Sequence, residues 1–377
     1  MDLFGSNIDF VYDEINKLKE ELNKSGSISD RKSCVASIDF LNSLINYSVK
    51  FKFNLKRFSK YYEFANKYDN KYLTNFINNR EFYIDFLFNA SKCFSKEVYK
   101  YESCYYEETF CSEDAAVMII HDFFNRYYPN YIDYVDSMIS DGRILLKSME
   151  DFYDGICFFL YKFKPIIFIE DVREGNINLD MIVCVIHELG HAIEGMIISD
   201  NFSSNYFEKF ISCSNRVEFI SKLFELQSIE YLHDLGINKN YTYNILVDFY
   251  SFVYRDLVDA YILSTLPSDT LKKGYFKEFD VEYVNDYITS IAPFVKEEWG
   301  SLMDVELRES VTYGISGLLA TYCNGIMKED HDYGMNLFNN ILRSRNDVMD
   351  YKYFDNLNIN KHELNKCLRK ELNHNGF

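Results

Sequence analysis

The sequence predicts a mainly α-helical fold with one small β-sheet. Three observations carry that prediction. Apolar residues recur at helical spacing along most of the chain. Turn punctuation is sparse, with 4 Pro and 15 Gly among 377 residues, which argues against an all-β sandwich or barrel. Only the stretch 155–169 holds short runs of β-branched and aromatic residues. Hydrophobic residues at 47% and aromatics at 18% exclude a mostly disordered chain. The length suits one large globular unit. We expect a helical N-terminal half, 1–150, joined to a region at 151–377 that carries the chemistry.

The elements follow in order. Ser6 can cap a first helix to Asn23, with Ile8, Val11, Ile15, Leu18 and Leu22 on one face, and Ser25-Gly26-Ser27 closes it. Asp30 to about Phe51 repeats the pattern with Val35, Ile38, Leu41, Leu44 and Ile45. Helical spacing then covers roughly 56–78, 80–99, 113–127 and 130–140, and the dense Tyr and Phe of this half read as core. Gly155–Tyr161 and Pro165–Ile169 read as two strands. Glu174-Gly175-Asn176 is a turn. Leu179 to about Ile198 is a long helix, apolar on all sides at its start and so buried. Ser214–Leu235 is a helix stopped by Gly236, and further helices cover 241–265, 280–292, 308–327, 332–345 and 361–373.

Charge and cysteine usage narrow the class. A net charge of −18 makes the chain a poor partner for DNA, RNA or anionic lipid. Nine scattered cysteines, with no CxxC pair, do not make a disulfide framework and fit a reducing cytosol. The first residues lack the basic and apolar regions of a signal peptide. The two most apolar stretches carry Lys162, Lys164 and Pro165, or His187, Glu188, His191 and Glu194, so neither offers an uncharged membrane span. A cytoplasmic protein is expected.

The chemistry concentrates in His187-Glu188-Leu189-Gly190-His191. Helical residues four apart lie about 40° apart around the axis and one turn apart along it, so both imidazoles can reach one metal ion. Glu188 is offset from His187 by about 100° and can hold a water beside that ion without ligating it. This is why the H-E-x-x-H spacing suits zinc hydrolases. The two histidines sit with Glu188 and Glu194 in an otherwise apolar helix, where unpartnered polar groups are costly.

A catalytic zinc takes a third protein ligand and keeps one position open. A His six residues after His191 would mark a metzincin, but Ile197 stands there. A downstream carboxylate remains, with Glu208, Glu218, Glu225 and Glu230 as candidates. Glu208 falls in a loop-like stretch. Glu218 lies within the expected 214–235 helix, which could pack on the first and present it to the metal. Glu225 lies on the same face and could orient His187 or His191. His121, His233, His331, His362 and His374 show no paired spacing and read as structural or surface residues.

Val185-Ile-His-Glu-Leu-Gly-His191, followed by Arg216-Val-Glu-Phe-Ile-Ser-Lys-Leu-Phe-Glu225, resembles the oligoendopeptidase F and thimet oligopeptidase family of zinc metallopeptidases. The resemblance covers about residues 100–377. It implies a mainly helical, gluzincin-type fold, with helices around a cleft and a small sheet beside the site. It makes Glu218 the third ligand of one zinc ion and Glu225 its supporter. Lys164–Val172 is similar to the family's edge strand, which implies that Ile167, Phe168 and Ile169 pair with an extended peptide. Gly155-Ile-Cys157 resembles the small turn before that strand. Thr312–Ala320 looks like the family's Tyr-x-x-Gly-x-x-x-Ala helix, which implies that Tyr313 offers its phenol near the scissile carbonyl. The His that the family carries shortly before that helix is missing from 299–308, and Glu194 stands where a His is common.

The function implied is a zinc-dependent endopeptidase for short peptides, with Glu188 as general base and Tyr313 as oxyanion donor. Two other readings share these residues. The shorter N-terminal half would suit a protease dedicated to one protein or peptide. The missing His would suit a zinc-containing, peptide-binding scaffold without turnover, against which an intact Glu188 argues.

Overall fold

The computed structural model describes residues 5–24, 76–98, 107–146, 155–158, 165–169, 176–201, 217–266, 290–293 and 307–343, with 31, 34, 35, 38, 42, 45, 74 and 366 as isolated positions. The helices expected over 30–51, 56–78, 280–292 and 361–373 lie wholly or mostly outside the described residues, as do Glu208 and 299–306.

Nine helices are described in chain order: α1 (Gly5–Lys24), α2 (Arg80–Val98), α3 (Glu113–Tyr127), α4 (Ile132–Ser140), α5 (Leu179–Asn201), α6 (Phe219–Asp234), α7 (Lys239–Thr265), α8 (Leu307–Glu329) and α9 (His331–Arg343). The chain is mainly helical, as the sequence predicts. Local chemistry starts several of these helices. Ser112 Oγ accepts from the Ala115 amide at 3.3 Å, and Glu113 and Asp114 fill the first turn of α3. Asn178 Oδ1 accepts from the Met181 amide at 2.8 Å and so starts α5. Asn238, left-handed at φ 33°, caps α7 through Tyr241.

Five short strands lie among the described residues. β1 (Phe110–Ser112) pairs antiparallel with β5 (Asn176–Asn178), where the sequence suggests a turn. β2 (Ile144–Leu146), β3 (Gly155–Phe158) and β4 (Ile166–Ile169) form a second sheet in the order β2-β4-β3. β3, β4 and β5 pack on α5. The two strands expected from the sequence are β3 and β4, and they run antiparallel, with Cys157 opposite Ile167. One expectation is corrected here. β4 is the central strand, parallel to β2 on its other side, so its backbone is bonded on both edges. Ile167, Phe168 and Ile169 therefore cannot pair with a peptide. Ile167 and Ile169 are buried in the core instead. Among the described residues β3 pairs with β4 alone.

Arg143 fixes this sheet to α4. Its fully buried guanidinium donates to Pro165 O at 3.1 Å, to Ser137 Oγ at 2.9 Å and to Asp141 Oδ2 at 3.1 Å. A buried cation this well bonded serves as a structural staple.

α5 lies at the centre of the core. Ile182, Ile186, Leu189 and Ala192 are wholly buried. Leu179–Ile198 is long and apolar enough to cross a membrane by length and composition, yet 83% of it is buried within the protein, as in a core helix. α6 packs on α5, and α7 and α8 pack on α6. The α5–α6 approach depends on Gly190, where an added Cβ would lie 2.7 Å from Ser221 Cα and 2.9 Å from Ser221 N. The aromatic residues read as core do pack there: Phe123, Phe124, Tyr128, Phe224 and Phe338 form one cluster. Cys34, Cys93, Cys111, Cys157, Cys184 and Cys323 are free thiols.

Candidate metal centre

α5 sets His187 and His191 one turn apart, with ring centroids 5.1 Å apart. The third candidate ligand arrives from α6, though not from within it as expected. The helix begins at Phe219, and Glu218 is its N-cap residue, at φ −91° and ψ −2°. Residues 214–216 lie outside the described residues. The Glu218 carbonyl accepts the Lys222 amide at 2.8 Å and starts the helix. Its carboxylate makes no capping bond and points instead at the imidazoles. Glu218 Oε2 lies 3.0 Å from His191 Nε2 and 3.3 Å from His187 Nε2.

Around this trio the partners are specific. His187 Nδ1 lies 2.8 Å from Glu225 Oε2, the orienting bond expected of a carboxylate behind a ligating histidine. Lys222 Nζ donates to that same oxygen at 3.0 Å. Glu188 is 5% exposed and faces β3, for a Cβ added to Gly155 would sit 2.9 Å from Glu188 Cγ. Tyr313 is half-buried on α8, its ring centroid 5.9 Å from Lys222 Nζ. The structure thus brings together His187, Glu188, His191, Glu218 and Glu225, sets Tyr313 beside them through Lys222, and excludes the central strand β4 from peptide pairing.

The carboxylates of Glu188 and Glu218 differ electrostatically. Burial raises the Glu188 pKa, and the nearby histidines only partly offset it. Glu218 is as deeply buried, but both imidazoles pull its pKa well below the ordinary carboxylate range. One carboxylate is thus biased toward carrying a proton and the other toward staying an anion. Burial opposes a charge on His187, yet Glu218 and Glu225 outweigh it and push its pKa to about 10.

That shift fixes a sign. A group whose folded pKa exceeds its unfolded value of about 6.5 stabilises the fold below that pH and ceases to do so as pH rises through the folded value. Metal-free protein is therefore expected to lose thermal stability between pH 7 and 10, and zinc uptake at pH 7 is expected to release protons. Melts across that range, and zinc titrations in buffers of differing ionisation enthalpy, check both. Zinc uptake without proton release would mean that His187 is already neutral.

The residues fit a zinc ion. His187, Glu188 and His191 could hold a metal, since one ligand atom from each lies within 4.8 Å of the others. Glu218 Oε2 is buried and accepts no aligned hydrogen bond despite its two imidazole neighbours. Two imidazoles and one carboxylate are the donor set of a three-ligand zinc site with an open position.

Sequence reasoning missed Lys222 and the Gly190–Ser221 approach. Lys222 had a signal, its i,i+3 spacing to Glu225, but such pairs are common on exposed helix faces. His121 lies 3.3 Å from Asp136, and His233 lies 2.9 Å from Thr242.

No protein-family model matches the sequence, and no curated protein matches it. Solved structures do. A protein from Chlamydophila abortus assigned as a peptidase aligns with a TM-score of 0.51 at 12% identity, over 81% of this chain and 55% of that one. A Bacillus anthracis protein assigned as an oligoendopeptidase F aligns with a TM-score of 0.48 at 10% identity, over 99% of this chain and 75% of that one. PZ peptidase A with an inhibitor aligns with a TM-score of 0.47 at 12% identity, over 95% and 65%. At such identities the likeness to the first is one of fold. The chain spans about half the length of that protein.

Proposed function

We propose that this chain is a zinc-dependent endopeptidase acting on short peptides, akin to the oligoendopeptidase F and thimet oligopeptidase family. The convergence of His187 Nε2, His191 Nε2 and Glu218 Oε2 beside the buried Glu188 carries this reading. The shared fold of the Chlamydophila abortus protein supports it.

His187, His191 and Glu218 would hold one zinc ion, with Glu225 fixing the His187 ring. Zinc, when bound, supplies Lewis acidity toward the attacking water and the scissile carbonyl. Glu188 would take a proton from that water and deliver it to the leaving amine. Tyr313 is our candidate donor to the developing oxyanion. The peptide would lie extended along β3, whose other neighbour is β4 and which runs beside Glu188, adding a strand to the sheet. The N-terminal half 1–150 and the region 151–377 are proposed to act as one unit in the cytoplasm.

The test is cleavage of a mixed peptide library by zinc-loaded protein, read by mass spectrometry. Cuts are expected that vanish on chelation and return with zinc. Cleavage that persists after chelation would rule out a metallopeptidase. Absence of cleavage from zinc-loaded protein would overturn the general peptidase reading.

A further inference from the structure

Lys222 is a buried cation that the reaction above does not use. Its side chain is 12% exposed. Nζ donates to Glu225 Oε2 at 3.0 Å, the same oxygen that holds His187 Nδ1 at 2.8 Å. The ammonium also lies 5.5 Å from the ring centroid of Phe249 on α7 and 5.9 Å from that of Tyr313 on α8. Glu218 and Asp256 act on it at longer range. One ammonium therefore stands where four helices meet: α5 through His187, its own α6, α7 and α8.

Burying an amine is costly unless it is paired and bonded, as for any buried ion. A packing role would be met by Leu or Met at no such cost. What a cation adds is a fixed partner for a buried carboxylate. Among the described residues Glu225 Oε2 would otherwise rest on the His187 imidazole alone and could swing out of line with its Nδ1. The faces of Phe249 and Tyr313 hold the ammonium from the other side.

We propose that Lys222 is a positioning residue of this site: it clamps Glu225 Oε2 in line with His187 Nδ1 and braces the Tyr313 ring, so that the His187 ring is held where its Nε2 faces Glu218. The inference rests on the metal-site reading above. Disturbing a carboxylate behind a ligating histidine weakens metal binding by about 10- to 100-fold.

The experiment is a double-variant cycle read by zinc affinity, measured by competition with a chromophoric chelator, with no activity required. Lys222→Met keeps the length and apolar stem, so packing against Phe249 and Tyr313 is retained. Zinc binding is expected to weaken about 10- to 100-fold in Lys222→Met and in Glu225→Gln. Because the lysine acts through the glutamate, the double variant is expected to bind within about threefold of Glu225→Gln alone. Multiplied losses would overturn the clamp and leave Lys222 as a packing residue. So would zinc binding by Lys222→Met equal to wild type, or a Lys222→Met chain that no longer melts cooperatively. Wild-type protein that binds no zinc would overturn the metal site and this inference together. Zinc-binding wild type with unchanged Lys222→Met would overturn this inference alone.

Discussion

A Glu188→Gln protein is expected to bind zinc as tightly as wild type and to cleave peptides about a hundred- to ten-thousand-fold more slowly. The substitution keeps the shape of the side chain and removes its ability to take a proton. Glu188 stands next to His187 in sequence but about 100° from it around α5, and Glu218 approaches both imidazole Nε2 atoms from α6. Under the proposed mechanism the ligand set does not need Glu188, whereas the proton transfers do. Steady-state turnover and zinc affinity are measured on the same preparation. Equal turnover in the variant would remove Glu188 from the chemistry. Zinc lost along with turnover would instead make Glu188 a ligand and reopen the role of Glu218.

The second large effect is expected at Gly190. Ala is the better helix former by about 1 kcal/mol, so on propensity alone Gly190→Ala should stabilise α5. Packing opposes this. The new methyl would lie 2.7 Å from Ser221 Cα and 2.9 Å from Ser221 N, which are backbone atoms that no side-chain rotation can move. Relief requires α6 to shift, and overpacking of this kind costs about 1–3 kcal/mol. Glu218 is three residues before Ser221, so a shifted α6 carries the carboxylate away from the imidazoles. Gly190→Ala is expected to melt earlier and to bind zinc less tightly, by roughly the 10- to 100-fold seen when a metal's supporting shell is disturbed. A variant that melts later and keeps its zinc affinity would show that the helices can separate without cost.

The histidine pair was legible because helix geometry alone sets the distance between residues four apart, and no tertiary knowledge is needed. Glu218 was legible only as one of several downstream acids until its neighbours matched a family pattern. Its place at the end of α6 was not, since the carboxylate is drawn from the capping position by two imidazoles some thirty residues earlier in the chain. The central position of β4 was hidden for a different reason. β2 has three residues, Ile144–Leu146, too few for a period-2 pattern to register. The edge position came from the family resemblance alone, and with β2 unseen nothing in the sequence opposed it. Lys222 was hidden because a lysine three residues before a glutamate is ordinary on a solvated helix. Only the packing of α7 and α8 over it makes it unusual.

The groups of the candidate site come from α5, the N-cap of α6 and its first two turns, and His187 and Glu225 are 38 residues apart. Joining two helices across so short a span requires little loop-closure entropy, which grows only as the logarithm of loop length. Contacts this close in sequence form early when a chain collapses. The α5–α6 pair can thus take shape before the distant α2 settles on α7. A centre assembled this locally also leaves the rest of the polypeptide free to diverge. That freedom fits a chain whose likeness to the Chlamydophila abortus protein is one of fold at 12% identity.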